Sequence, residues 1–333
     1  MLHGGELETK HKTTLDQLMN LEDDLDAQAA YALSLVQRDR HFQTVVPALR
    51  VLAAHPLPEA RPILRQRFAY FQSDWAKRDQ GAVIRAALLE ALRPLAQDDD
   101  RPLLEQAVVT YEFLPPTRSE VAAPLRAAAL AALSALDDTL AGYWAVRLLD
   151  DEHTSRMSGE PALTAARILG AQRQTLPLYA YALRGAATFP EVLLECFRHL
   201  TTVPPSILAT LVERHRATQD DVTLVGLIDL VLGHPAWESH LDFLRDGLTR
   251  PRQVEVYRYL VMALAASRKP ALIDLLIQQA GLETVPARQQ ALVQALRLVH
   301  GDRDAEAAAT ALEQTLTGAG AGPERRASRR RPG

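Results

Sequence analysis

The chain has 333 residues and a formal net charge of −4; 47% of it is apolar but only 5% aromatic, because Ala and Leu supply the apolar share. These are strong helix formers, so the composition predicts an all-α protein. A single cysteine, Cys196, excludes an intrachain disulfide, a CxxC redox pair and a thiolate zinc site.

The opening residues, Met1 to Thr14, are polar and lack the apolar stretch of a secretory signal. The longest apolar run, Tyr259 to Ala266, falls far short of the roughly 20 residues a membrane helix needs, so a cytoplasmic protein without a membrane partner is expected. Residues 1–39 read as a polar lead and capping helices, with Leu21-Glu-Asp-Asp-Leu-Asp ahead of the main helix. From residue 40 to 317 the apolar residues recur at helical spacing, as in Leu224, Leu227, Ile228 and Val231, with no sustained period-two pattern. Brief breaks rich in Pro, Asp, Gly or Thr divide this stretch into short helices, which implies antiparallel neighbours.

Thr117-Arg-Ser-Glu120 fits a capping box, and Asp100-Arg101-Pro102 places an Asp cap before a first-turn proline. Pairing each longer helix with its successor gives first helices starting near His41, Gln80, Glu120, Glu160, Pro190, Asp221, Arg252 and Val285. That spacing of about 30 to 40 residues is the period of a helical repeat. A single helix pair cannot bury its apolar face, so the pairs must stack. The expected architecture is an α-α superhelix, a solenoid of about eight antiparallel helix pairs, followed at 318–333 by a disordered basic tail.

The corners Arg93-Pro-Leu-Ala-Gln-Asp-Asp-Asp-Arg-Pro-Leu-Leu, Leu136-Asp-Asp-Thr-Leu-Ala-Gly-Tyr and Leu232-Gly-His-Pro-Ala-Trp-Glu share an apolar helix, a polar or Pro-bearing turn and a second apolar helix. Pro47 and Pro124 sit in first helices, and Leu148-Leu-Asp-Asp151 is followed after an insertion by Ala162-Leu-Thr-Ala-Ala-Arg-Ile-Leu-Gly170. In these features the chain resembles the armadillo-like HEAT-repeat family and its HEAT-like variants. The resemblance covers roughly Arg40 to Leu316 and specifies architecture rather than activity. It implies second helices that line a concave side.

The usual chemistry is missing. There is no phosphate-binding GxxxxGK loop, no GxSxG elbow and no HExxH metal helix, so no catalytic residue, metal site or cofactor is expected. Gly318-Ala-Gly-Ala-Gly322 follows no strand and reads as linker. Asp150-Asp-Glu-His153 and the trio His234, Glu238 and His240 hold metal-type donors, but the first lies between helices and the second points its histidines apart.

Aromatics gather in the second helices of the first four pairs: Tyr70, Phe71 and Trp75, then Tyr111, then Tyr143 and Trp144, then Tyr179 and Tyr181. Arg65, Arg67, Arg147 and Arg184 accompany them. Tyr, Trp and Arg are the commonest interface anchors. Rings at helical spacing also fill seams between repeats, the role expected of Phe71 and Phe113. The binding face assembled from this pattern comprises Arg65, Tyr70, Trp75, Tyr111, Tyr143, Trp144, Arg147, Tyr179 and Arg184.

The resulting expectation is a non-enzymatic scaffold that takes a protein or peptide partner along its concave face. The HEAT-like resemblance also implies an alternative, a DNA-binding protein or an alkylated-base DNA glycosylase, for which Asp74, Trp75, Trp144 and Trp237 are raw material; bilin lyases form another such branch. Against a nucleic-acid partner, the last sixteen residues carry five Arg and one Glu, leaving about −8 on the rest, a poor attractor of phosphate backbones. Only Arg325, Arg326 and Arg329 to Arg331 in the tail offer phosphate contacts of that kind. The preponderance of arginine over lysine, 33 to four, reads as coding bias rather than as a binding surface.

Overall fold

Proline and aspartate punctuate the chain, and the helices begin where they do. In the computed structural model, which describes residues 13–116, 118–184 and 189–320, the protein is all-α apart from one small hairpin. It divides into two compact units, residues 1–181 and 182–333.

In the first unit, α1 (13–19) and α2 (Leu25–Arg38) precede α3 (Phe42–Ala54), α4 (Ala60–Gln72), the four-residue α5 (Trp75–Arg78), α6 (Val83–Leu92) and α7 (Arg101–Val108). A hairpin of β1 (Phe113–Leu114) and β2 (Ser119–Glu120) then leads to α8 (Ala123–Leu136), α9 (Asp138–Leu149), α10 (Ala162–Ala171) and α11 (Thr175–Ala182). Helix α3 packs on α6, α6 on α8 and α8 on α10, while α4, α7 and α9 pack beside α6 and α8.

The second unit continues with α12 (Pro190–Arg198), α13 (Pro205–His215), α14 (Asp221–Gly233), α15 (Leu241–Thr249), α16 (Val254–Ala266), α17 (Pro270–Leu282), α18 (Pro286–Arg297) and α19 (Arg303–Gly320). Here α12 packs on α14, α14 on α16 and α16 on α18. Helices α3, α6, α8, α10, α12, α14, α16 and α18 are the eight first helices the sequence predicts, each beginning within three residues of its expected start. Of the predicted basic tail, residues 321–333 lie outside the described residues, and α19 extends to Gly320.

Start chemistry explains these positions. Asp24, Asp137 and Asp220 accept hydrogen bonds from the amides of Ala27, Leu140 and Thr223 at 3.1, 3.0 and 2.7 Å, and six helices, α7, α8, α12, α13, α17 and α18, carry proline at the first or second position. Pro47 does lie inside α3, but Pro124 occupies the first turn of α8, where no intrahelical amide bond is lost. Two predicted caps are corrected. Glu120 belongs to β2, not to a capping box, because its carboxylate accepts from the amides of Glu112 and Ala122 and pairs with Arg126; Thr117 lies outside the described residues. Asp100 precedes α7 without capping it, since its carboxylate accepts from the Gln97 amide and pairs with Arg61 at 2.9 Å.

Cross-seam bonds repeat with the period of the helices. In the second unit, His215 Nε2 donates to Ala182 O and His234 Nε2 to Val203 O, both at 2.7 Å, and Lys269 Nζ donates to Leu232 O at 2.6 Å. Arg250 donates to Arg216 O and Arg288 to Pro251 O, so five side chains reach back 31 to 37 residues to main-chain oxygens. Three of these carbonyls, of Ala182, Arg216 and Leu232, lie at the carboxyl ends of α11, α13 and α14, where intrahelical donors run out. Cys196, fully buried, has its thiol pushed up by that burial. No helix among the described residues is long and apolar enough to cross a membrane.

The seam between α14 and α16 carries a titratable pair. Tyr259 donates its hydroxyl to both oxygens of Asp229, at 2.9 and 3.1 Å, and burial together with that carboxylate pushes the phenol up to about 12. A phenol raised in the fold stabilises it fully below its unfolded value near pH 10, and that contribution is lost as pH rises to about 12. Phenolate absorbance of the wild type minus Tyr259→Phe should therefore rise near pH 12, and Asp229→Asn should move it downward. A rise at ordinary tyrosine pH in the wild type would refute the pairing.

Candidate functional site

The residues of the predicted face fall on several successive elements, each with its own neighbours. On α4, Arg65 Nε lies 3.2 Å from Asp100 Oδ1, and with Arg61 it also clasps Asp99, tying α4 to the corner before α7. Tyr70, one turn further on, is half-buried with three guanidinium groups around its ring: Arg78 at 4.1 Å, Arg40 at 5.0 Å and Arg67 at 5.1 Å from the centroid. Trp75 is not on α4 as expected. The chain turns at Ser73 and Asp74, placing Trp75 at the head of α5, where Asp74 faces Lys77 at 3.6 Å.

Tyr111 also departs from its predicted helix, because α7 ends at Val108. The ring stands in the turn before β1, with the Arg126 guanidinium 4.1 Å above it and His153 edge-on at 5.6 Å. Burial and the nearby Asp151 carboxylate raise its phenol. Phe71 is buried as expected, but Phe113 is 44% exposed, because the hairpin carries it out of the seam to meet His153 edge-on.

Helix α9 presents the most open part of the face. Tyr143 is 75% exposed and Val146 46%, while Trp144 is half-buried with Arg147 5.4 Å from its ring. Tyr143 and Val146 border a cleft of about 440 Å³ whose other lining residues are Asp138, Thr139, Gly142, Gln172 and Gln174. Glycine at 142 lets the Gln172 side chain fold close over α9: a Cβ there would stand 2.6 Å from Gln172 Oε1 and turn that side chain aside. Gln172 is in turn fixed by Nε2 donating to Asp138 O at 2.6 Å and Oδ1 at 2.9 Å. The sequence does not single out Gly142, Val146, Gln172 or Gln174, since none carries distinctive chemistry until α9 and the turn after α10 meet.

On α11, Tyr179 is half-buried and Tyr181 belongs to the core. Arg184 falls in the second unit beyond α11, where it is exposed and its carbonyl accepts from Arg214 Nη2 at 3.4 Å.

The two suggested metal clusters have other work. Asp151 pairs with Arg126 at 2.9 Å and accepts from the His153 amide. His234 uses Nε2 on Val203 O and Nδ1 on the Ala236 amide, leaving no ring lone pair for a cation. No group of three or more His, Cys, Asp or Glu among the described residues is arranged to hold a metal ion.

The sequence also gives no hint of two arginines that are wholly buried, Arg85 on α6 and Arg126 on α8. Each holds an acid six residues before it, Asp79 or Glu120, and a second acid in the following corner, Glu112 or Asp151. They are structural fasteners that join each helix to the corners before and after it. No family model matches the chain, and no curated protein matches it.

Proposed function

We propose that the chain is a HEAT-like helical-repeat scaffold, without catalytic activity, that takes a protein or peptide partner on the second helices of its first unit. The first helices packing in sequence within each unit, and the cross-seam bonds that each span 31 to 37 residues, support a solenoid. The observation that carries the binding role is the α9 cleft. An exposed tyrosine and valine there border a concavity also lined by the Gln172 and Gln174 amides and the Asp138 carboxylate, combining apolar anchors with polar groups that fix orientation. Tyr143 and Val146, three residues apart, lie on one face of the helix, a spacing suited to an apolar side chain of a docked segment. A lone buried thiol suits a reducing cytoplasm.

The test is affinity capture from the native host after nuclease treatment, comparing wild type with Tyr143→Ala/Val146→Ala. Both side chains are exposed, so the circular dichroism melt should be unchanged. A stoichiometric protein lost only from the variant supports the reading. Equal recovery of every partner by the variant, or no protein surviving nuclease, rejects it.

A further inference from the structure

We propose that the three arginines around Tyr70 form a binding site for a phosphate-type dianion. The site draws on separate parts of the first unit: Arg40 follows α2, Arg67 and Tyr70 lie on α4, and Arg78 ends α5. All three guanidinium carbons stand within 5.1 Å of the centre of one ring. Among the described residues none of the three forms an ion pair with a carboxylate, in contrast to the neighbouring Arg61, Arg65 and Arg85.

Helix capping accounts for part of the cluster only. Arg67 donates from Nη2 to Asp39 O, and Arg78 Nη1 donates to Tyr70 O and Ser73 Oγ, both at 2.7 Å. These bonds leave most guanidinium donors unused, since each group carries five. Arg67 is only 9% exposed, and its Nε is buried without a partner. Its neighbours oppose its charge: burial and Arg40 lower its basicity, against the attraction of Tyr70 and Asp39.

Charge balance selects the ligand. Asp39 is a carboxylate that attracts the Arg67 guanidinium; burial acts to raise its pKa, but amide bonds from His41 and Arg40 hold it below the ordinary value, so it is ionised. With no carboxylate in an ion pair with any of the three among the described residues, the guanidinium groups carry a surplus of positive charge. A phosphomonoester or inorganic phosphate brings between one and two negative charges and three acceptor oxygens at neutral pH. A carboxylate brings one charge and two oxygens, too few for three forks. Arg67 would form the floor, with Arg78 half-buried beside it and exposed Arg40 as the arm at the entrance. This reading does not depend on the scaffold role: the anion can arrive free or on a phosphorylated partner.

Calorimetric titration of the full chain with inorganic phosphate, at constant ionic strength set by chloride, tests it. Saturable binding at one site is expected, weakened at least about tenfold by Arg40→Gln, as loss of a charge-assisted bond implies. Arg245→Gln, which removes an exposed arginine paired with Asp242 on α15, should leave binding unchanged. A phosphoserine peptide binding more tightly than inorganic phosphate would identify a phosphorylated partner as the source, and the reverse order a free anion. Absence of saturable binding, or equal affinities for wild type and Arg40→Gln, would overturn the proposal. Arg78→Gln supplies a second variant on a different element, with the same expected loss.

Discussion

Arg85→Met is expected to remove about 3–5 kcal/mol of stability from the first unit, the usual penalty for breaking a buried ion pair from one side. The guanidinium is fully buried, with Nε 2.9 Å from Asp79 Oδ2, Nη2 2.6 Å from Glu112 Oε2 and Nη1 2.7 Å from Gln72 Oε1. Burial opposes its charge, yet the bonds from Glu112 and Asp79 raise its basicity above the ordinary value. Removing it strands two carboxylates that are 5% and 3% exposed. For a unit of this size the melting temperature should fall on the order of 10 °C. Converting the partners as well, in Arg85→Met/Asp79→Asn/Glu112→Gln, should recover part of the loss, because charges no longer lie buried without an opposite. Calorimetric melts of the three proteins decide the matter. A single variant within about 1 kcal/mol of wild type, or a triple variant worse than the single, would contradict this account.

The second large effect is expected where α12 meets α14. Phe197 is fully buried, and its removal in Phe197→Ala should destabilise the second unit by about 3–5 kcal/mol. On the facing helix, a Cβ at Gly226 would stand 3.0 Å from Leu194 Cα and 3.1 Å from Phe197 Cδ2. Gly226→Ala gains about 1 kcal/mol in helix propensity but must push against a backbone atom, so a net loss of about 1–3 kcal/mol is expected. In the double variant the added methyl enters space the ring has vacated, and the combined loss should be smaller than the two losses added. Urea unfolding of the four proteins measures the coupling. Strict additivity would mean that the two helices are not in the close contact described.

The positions of the helices were legible because their punctuation is local. Pro190, Asp221 and Pro286 mark starts through first-turn chemistry that needs no knowledge of the rest of the chain. The hairpin at Phe113–Glu120 was not, since its decisive interaction joins Glu120 to Arg126 and a Glu120 side chain reads equally well as a helix cap. Aromatic content draws attention to Tyr143 on α9, but the cleft beside it depends on Gln172 folding over Gly142, a contact between residues thirty positions apart. Tyr111 and Trp75 were assigned to helices that end before they are reached. The fastening arginines were hidden by abundance. Among 33 arginines, nothing in the spacing of Arg85 or Arg126 sets them apart until the corners bring Glu112 and Asp151 to them.

The backward-reaching bonds of the second unit give it a polarity. In every one of the five, the donor belongs to the later part of the chain and the acceptor carbonyl to the earlier part. Peeling α18 and α19 away would expose only carbonyls, which water satisfies readily. Peeling from the other end would instead leave imidazole, ammonium and guanidinium donors, which water satisfies as well. A truncation from the carboxyl end of this unit therefore removes donors together with the helices that carry them, whereas one from the amino end removes the carbonyls those donors meet.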